Sequence, residues 1–204
     1  MQVRELAVAD VYEFTPRVFP DDRGLFVAPF QEAAFLDAVG FPLRVAQTNH
    51  SVSRRGVIRG MHFADVPPGQ SKFVYCPLGA LIDVVIDLRV GSPTFGEVDS
   101  VLLDSTDYRG VYVSEGIGHG FVALTDDTVM AYSVSTGYNP TGEHCINPLD
   151  PAMRLPWPAD IEPVLSDKDA IAPNLADALA TGMLPKYEEC VAYYDELRIA
   201  AKNG

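Results

Sequence analysis

The chain has 204 residues and a formal net charge of −13, with ordinary apolar content. Such an acidic balance argues against a DNA or RNA partner, which needs a basic footprint, while the length suits one domain with a proper core. The N-terminal run MQVRELAVADVYEF carries charges inside its apolar stretch, so no secretory leader is expected, and no segment reaches the about 18–20 apolar residues of a membrane helix.

Most of the first two thirds reads as strand, with β-branched and aromatic runs punctuated by Gly, Pro, Asp and Ser. In chain order, a short helix is expected at Gln31–Val39, ending at Gly40 as a C′ residue. Strands are expected at Val45–Val52, Val57–Phe63, Lys72–Pro77, Leu81–Arg89, Glu97–Leu103, Gly110–Val113, Gly120–Ala123 and Thr128–Ser135. Leu81–Arg89 alternates cleanly, with Ile82, Val84, Ile86 and Leu88 on one face and Leu81, Asp83, Val85, Asp87 and Arg89 on the other. That pattern predicts a half-buried antiparallel strand, with Asp87 on a solvated face. Near Asn147 the composition shifts to a Pro-rich extension with helices at Asn174–Thr181 and Tyr187–Ala201. The pattern predicts a mainly β fold of jelly-roll type with a short N-terminal helix and a C-terminal helical extension. One domain is expected over residues 1–204, with the jelly roll at about 10–147.

The chemistry-bearing residues gather in GVIRGMHFADVPPGQSKFVYC, Gly56–Cys76. Strict alternation puts His62 and Arg59 on opposite faces. A bulge at Gly60 would bring them to one cavity. If the strands on either side of the Pro67-Pro68-Gly69 loop pair as a hairpin, His62 and Lys72 line one sheet face. Asp83 on a neighbouring strand could then pair with Lys72, since lysine is almost never buried alone.

His62 by itself also reads as a hydrogen-bonded core histidine, and Tyr132, in TVMAYSV, as core packing. A metal centre is not expected, because the four histidines form no HxH pair and no glutamate follows His62 at ligand spacing. The three cysteines, Cys76, Cys145 and Cys190, lack metal spacing and read as reduced and cytoplasmic. No GxSxG elbow is present, and the glycine-rich GIGHGF lies between strands, which excludes a P-loop. A metal-free pocket of His, Lys and Tyr suits proton removal beside a carbonyl: a near-neutral base, a cation for the enolate oxygen and a phenol to return the proton.

The motifs FPDDRGLF, AQTNHSVS, GVIRGMHF, PPGQSKFVYC, DLRVGSPTFG, GIGHGF and LSDKD resemble, in the same order, those of the dTDP-4-dehydrorhamnose 3,5-epimerase family, across roughly residues 10–173. The wording SRRGVIRGMHFADVPPGQ is similar to the branch serving antibiotic deoxysugar pathways. The resemblance implies a cupin-type barrel, a homodimer, a site without metal or other cofactor, and a dTDP-linked 4-keto-6-deoxy sugar as substrate.

By this resemblance His62 is the general base, Asp169 the carboxylate that orients it, Tyr132 the acid for the opposite face and Lys72 the cation near the C4 oxygen. Arg23 and Arg59 grip the phosphates, Gln47 and Asn49 bind substrate, His119 contacts sugar or phosphate, and Tyr138 stacks on thymine. Glu143 and Lys168 take more peripheral binding positions. Two positions depart from the family wording, Ala28 after RGLF and Ala64 after HF. The expected reaction inverts C5 and/or C3 of the sugar, with C5 ranked ahead of C3. The rival readings are an epimerase of one centre only, a cupin ketoisomerase that moves the carbonyl between C4 and C3, and a non-catalytic nucleotide-binding barrel.

Overall fold

The computed structural model describes residues 1–203. Two antiparallel sheets face one another as a jelly-roll barrel. The first has β1 (Gln2–Glu5), β2 (Tyr12–Thr15), β5 (Gln47–Ser53), β7 (Lys72–Leu78), β10 (Gly110–Val113) and β12 (Thr128–Val134), in the order β1-β2-β10-β7-β12-β5. The second has β6 (Ile58–Ala64), β8 (Ala80–Asp87), β9 (Val98–Asp104), β11 (Ile117–Ala123) and β13 (Glu143–Cys145), in the order β13-β6-β11-β8-β9. A separate hairpin joins β3 (Val18–Asp21) to β4 (Gly24–Val27).

The period-2 patterning sorts side chains into three cores. Leu81, Val85, Val74, Val111, Phe121 and Met130 fill the space between the sheets. Outside the six-stranded sheet, Phe14, Phe73 and Tyr112 pack on α1 (Glu32–Val39) and α4 (Tyr187–Asn203) through Phe35, Cys190 and Tyr194. The Phe35 ring meets Tyr112 edge-on, with centroids 4.9 Å apart. Outside the five-stranded sheet, Met61, Val84, Ile86 and Leu88 are covered by Ile146, Met153, Ala178 and Leu184. The C-terminal extension is therefore the lid of a core, and it carries α2 (Asp167–Ala170) and α3 (Leu175–Ala180). No helix among the described residues is long and apolar enough to cross a membrane.

Three expectations are corrected. The strands holding His62 and Lys72 do not form a hairpin: β6 and β7 belong to different sheets, and the Pro67-Pro68-Gly69 loop carries the chain from one wall to the other. Asp87 is not solvated. It is 0 % exposed and takes a bidentate pair from Arg89, Nε–Oδ1 and Nη2–Oδ2 both 2.9 Å, with Ser92 and Thr94 hydroxyls donating to Oδ2. Strand β8 is buried on both faces, because its polar-patterned face looks into the barrel rather than into water. Finally, the sheets begin at Gln2, ahead of the expected start near residue 10, and Val11 and Phe14 are buried by their own chain.

The bulge expected at Gly60 is present as a register shift in the β6–β11 ladder. Gly60 has φ +143°, and a Cβ there would lie 2.6 Å from the Gly120 Cα. Only a glycine permits this approach of two backbones. Gly60→Ala should therefore cost roughly 2–4 kcal/mol of stability. A urea midpoint equal to that of the unaltered protein would show that the crossing can relax.

Candidate active site

One rung of the five-stranded sheet runs Cys145, His62, His119, Val85, each opposite the next in register. Opposite residues on antiparallel strands share a face, so the polar members of this rung project into the barrel. The facing sheet supplies Lys72 and Tyr132 from neighbouring strands, with Lys72 opposite Val134 and Tyr132 opposite Val74. Between the walls lies a cavity of about 550 Å³, in which Arg59, His62, Lys72, His119, Tyr132 and Asp169 meet. Phe121 and Met130 of the interior core form part of its wall.

Asp169 comes from the extension, 107 positions from His62 in sequence, and its Oδ1 lies 2.9 Å from His62 Nε2. Two local devices place it. Ser166 caps α2, its Oγ accepting from the Asp169 backbone N–H at 3.1 Å. The segment before it is tied to the start of β6, where the Ile58 N–H donates to Val164 O at 3.0 Å and the Val164 N–H to Gly56 O at 2.9 Å. A carboxylate only accepts hydrogen bonds, so Nε2 carries the imidazole proton and Nδ1 keeps the lone pair. Cys145, not singled out in the sequence beyond its redox state, sits behind this pair with Sγ 3.3 Å from the same Asp169 oxygen.

The electrostatics follow from burial and neighbours. Burial lowers the His62 pKa, the Asp169 hydrogen bond opposes this, and Lys72 lowers it further, so the net shift is down. Asp169 is raised by burial but pulled lower overall by His62, Cys145 and Ser166, so it stays ionised. Lys72 is lowered by burial against the charges of Glu143 and Asp83. Tyr132 is raised by burial, which keeps its phenol protonated at neutral pH.

The expected Asp83–Lys72 ion pair is not what forms. Asp83 Oδ1 lies 2.7 Å from His119 Nε2, giving a second buried His–Asp pair. Alternation on β8 identified the right face but not the partner, because β11 lies between β8 and β6. Tyr138, Glu143 and Lys168 also line the cavity. Glu143 is fixed by the Gln70 amide at 3.2 Å and the Asn139 backbone N–H at 2.9 Å. Gln47 and Asn49 do not line it; they bond to each other at 2.7 Å on β5, the edge of their sheet. Arg23 is also apart from it, on the β3–β4 hairpin, its side chain 89 % exposed and paired with Asp21.

His62 Nε2, Cys145 Sγ and an Asp169 oxygen lie within 4.8 Å of one another. A metal-binding cysteine must be a thiolate. Cys145 is pushed the other way by burial and by the Asp169 charge, and its sulfur also faces the Gly60 and Ile146 carbonyls. The trio fits a hydrogen-bonded cluster, not a metal centre.

A family model described as dTDP-4-dehydrorhamnose 3,5-epimerase matches residues 5–177. The chain is 50% identical over 198 residues, 97% of its length and 98% of the relative's, to a dTDP-4-dehydrorhamnose 3,5-epimerase of Mycolicibacterium smegmatis. It is 49% identical over 192 residues, 94% of its length and 92% of the relative's, to a dTDP-4-dehydrorhamnose 3-epimerase of Streptomyces niveus. Among solved structures, it matches ChmJ, a 3′-monoepimerase from Streptomyces bikiniensis in complex with dTDP-quinovose, with TM-score 0.93, 42% identity, and coverage of 95% of this chain and 98% of that one.

The field at His62 can be read directly. His62 should titrate below the ordinary 6.5. Lys72→Met, which removes a positive charge facing it, should raise that midpoint, as followed by NMR of the imidazole. An unchanged midpoint would mean that Lys72 does not act on His62.

Proposed function

Because the chain belongs to the dTDP-4-dehydrorhamnose 3,5-epimerase family, we propose that it inverts one or two centres beside the ketone of a dTDP-4-keto-6-deoxyhexose. The observation that carries the reading is the opposition of His62, backed by Asp169, to Lys72 and Tyr132 across one cavity. The ketone acidifies the neighbouring C–H bonds. His62 removes the proton and becomes imidazolium, which Asp169 stabilises. The electron pair moves onto O4, beside the Lys72 ammonium. Tyr132 gives its phenolic proton to the other face of the same carbon, and the imidazolium and phenolate recover their starting states by exchange with solvent. The cycle leaves no net oxidation or reduction, and in this reading no metal takes part.

Arg59, His119 and Lys168 supply positive or hydrogen-bonding groups for the diphosphate and sugar, and the exposed Tyr138 ring is offered to the thymine. Arg23, Gln47 and Asn49 join the site in a homodimer. The β3–β4 hairpin exposes Phe19, Leu25 and Phe26 at 47, 49 and 67 %, a patch that calls for a partner surface. The hairpin carries Arg23 toward the neighbour's cavity. Three free, buried cysteines suit a reduced, cytoplasmic setting.

Inversion at position 3 is common to both relatives' names, and inversion at position 5 belongs to one. The proposal therefore ranks C3 ahead of C5, the reverse of the order expected from the sequence. In D₂O, deuterium should enter C3 of the inverted product. Label at C5 as well marks a double epimerase, and label at C5 alone would overturn the ranking.

Asp169→Asn should keep the fold by circular dichroism and lower turnover by roughly 10²–10⁴-fold. Near-normal turnover would remove Asp169 from the mechanism and favour a barrel whose dyad has another use. Light scattering at micromolar concentration should give a dimer, and Arg23→Ala should weaken substrate binding. A fully active monomer would refute the shared site.

A further inference from the structure

We propose that Cys145 is a positioning residue for the reaction, its S–H holding the Asp169 carboxylate in the orientation that faces His62. The proposal deepens the functional reading above and rests on it for the catalytic consequence. Cys145 stands directly opposite His62 in the β13–β6 ladder, so the two side chains are cross-strand neighbours. The ladder is held at this point by paired bonds between Met61 and Ile146, 3.1 and 3.0 Å.

The sulfur is buried, and three oxygens surround it at 3.3 Å each: Gly60 O, Ile146 O and Asp169 Oδ1. A thiolate in that nest would face three negative ends, so the hydrogen stays on sulfur. There is one hydrogen for three acceptors. Asp169 carries a full charge, whereas Ile146 O already accepts from the Met61 N–H. Charge-assisted bonds are the stronger ones, so the S–H points to the carboxylate.

Two donors therefore converge on Oδ1, His62 Nε2 at 2.9 Å and Cys145 Sγ at 3.3 Å. The Ser166 cap holds the backbone of Asp169 from the far side. With both donors in place the carboxylate is fixed in rotation, and part of its charge is spent on the thiol. Losing the thiol donor would leave Asp169 freer to turn and more fully charged toward His62. That charge favours imidazolium, the form that cannot take a proton. The other titratable groups near His62 are Lys72 and His119, with Glu143 and Asp83 facing Lys72 and Lys168 facing Cys145. None of these is altered by a change at position 145.

The test uses Cys145→Ala and Cys145→Ser, with kcat, KM, the pH–rate profile and the His62 imidazole titration in the free protein. Cys145→Ala should lower kcat by about 5–20-fold, at or below the low end of the scale of one hydrogen bond to a charged group because S–H is a weak donor, with KM held within about twofold. It should move the acid limb of the profile and the imidazole midpoint to higher pH. Cys145→Ser, which keeps a donor, should restore both toward the unaltered protein. If Cys145→Ala does not fold, Cys145→Val fills the space without a donor and carries the same expectation.

Equal impairment of Ser and Ala would assign Cys145 to packing and overturn the proposal, as would an Ala variant with unchanged kcat and midpoint. The imidazole titration needs no substrate. A midpoint that moves in a protein unable to epimerise would sink the functional reading while leaving the Cys145–Asp169 coupling intact.

Discussion

The hydrogen bond between His62 and Asp169 is the contact around which the rest of the site is arranged. It joins the five-stranded sheet to the C-terminal extension, and both ends are held independently. His62 sits in a ladder between β11 and β13. Asp169 is held by the cap of a one-turn helix and by the parallel bridge between Val57 and Val164. The extension earns its place twice, since Met153, Ala178 and Leu184 bury the outer face of the sheet whose inner face carries His62.

The barrel gives this pair something to oppose. Were β6 and β7 a hairpin, His62 and Lys72 would approach a substrate from the same side. Because the Pro-rich loop crosses between sheets, they approach from facing walls, and Tyr132 joins Lys72 on the far one. Inversion requires proton removal from one face of a carbon and return to the other, and two walls lined in this way meet that demand without a large motion of the protein. The same low-dielectric interior that would strengthen Lys72 in the proposed role of enolate partner also lowers the basicity of His62 and keeps the Tyr132 phenol protonated.

Much of this was legible in the sequence because strand patterning is local. The strands from β5 to β12 and the helices α1, α3 and α4 follow from alternation, a glycine stop and helical composition. The short strands β1–β4 did not, since four-residue segments interrupted by charge and proline carry too little periodicity. Asp87 was misplaced for a different reason: alternation distinguishes two faces but cannot say which one looks into a barrel, while Asp83 was given the right face but the wrong partner. The bulge at Gly60 was legible from one glycine in a strand, whereas the role of Cys145 was not. Its partners Gly60 and Asp169 lie 85 and 24 residues away, and only sheet register brings them together.

The central claim is that base and acid act from opposite walls. The most direct measurement is solvent deuterium exchange against inversion in Tyr132→Phe. With His62, Asp169 and Lys72 intact, the account predicts that this variant still exchanges the acidic C–H with D₂O, returning deuterium mainly to the original face, while inversion falls by roughly 10²-fold or more. Exchange and inversion lost in the same proportion, or inversion retained at the rate of the unaltered protein, would contradict it.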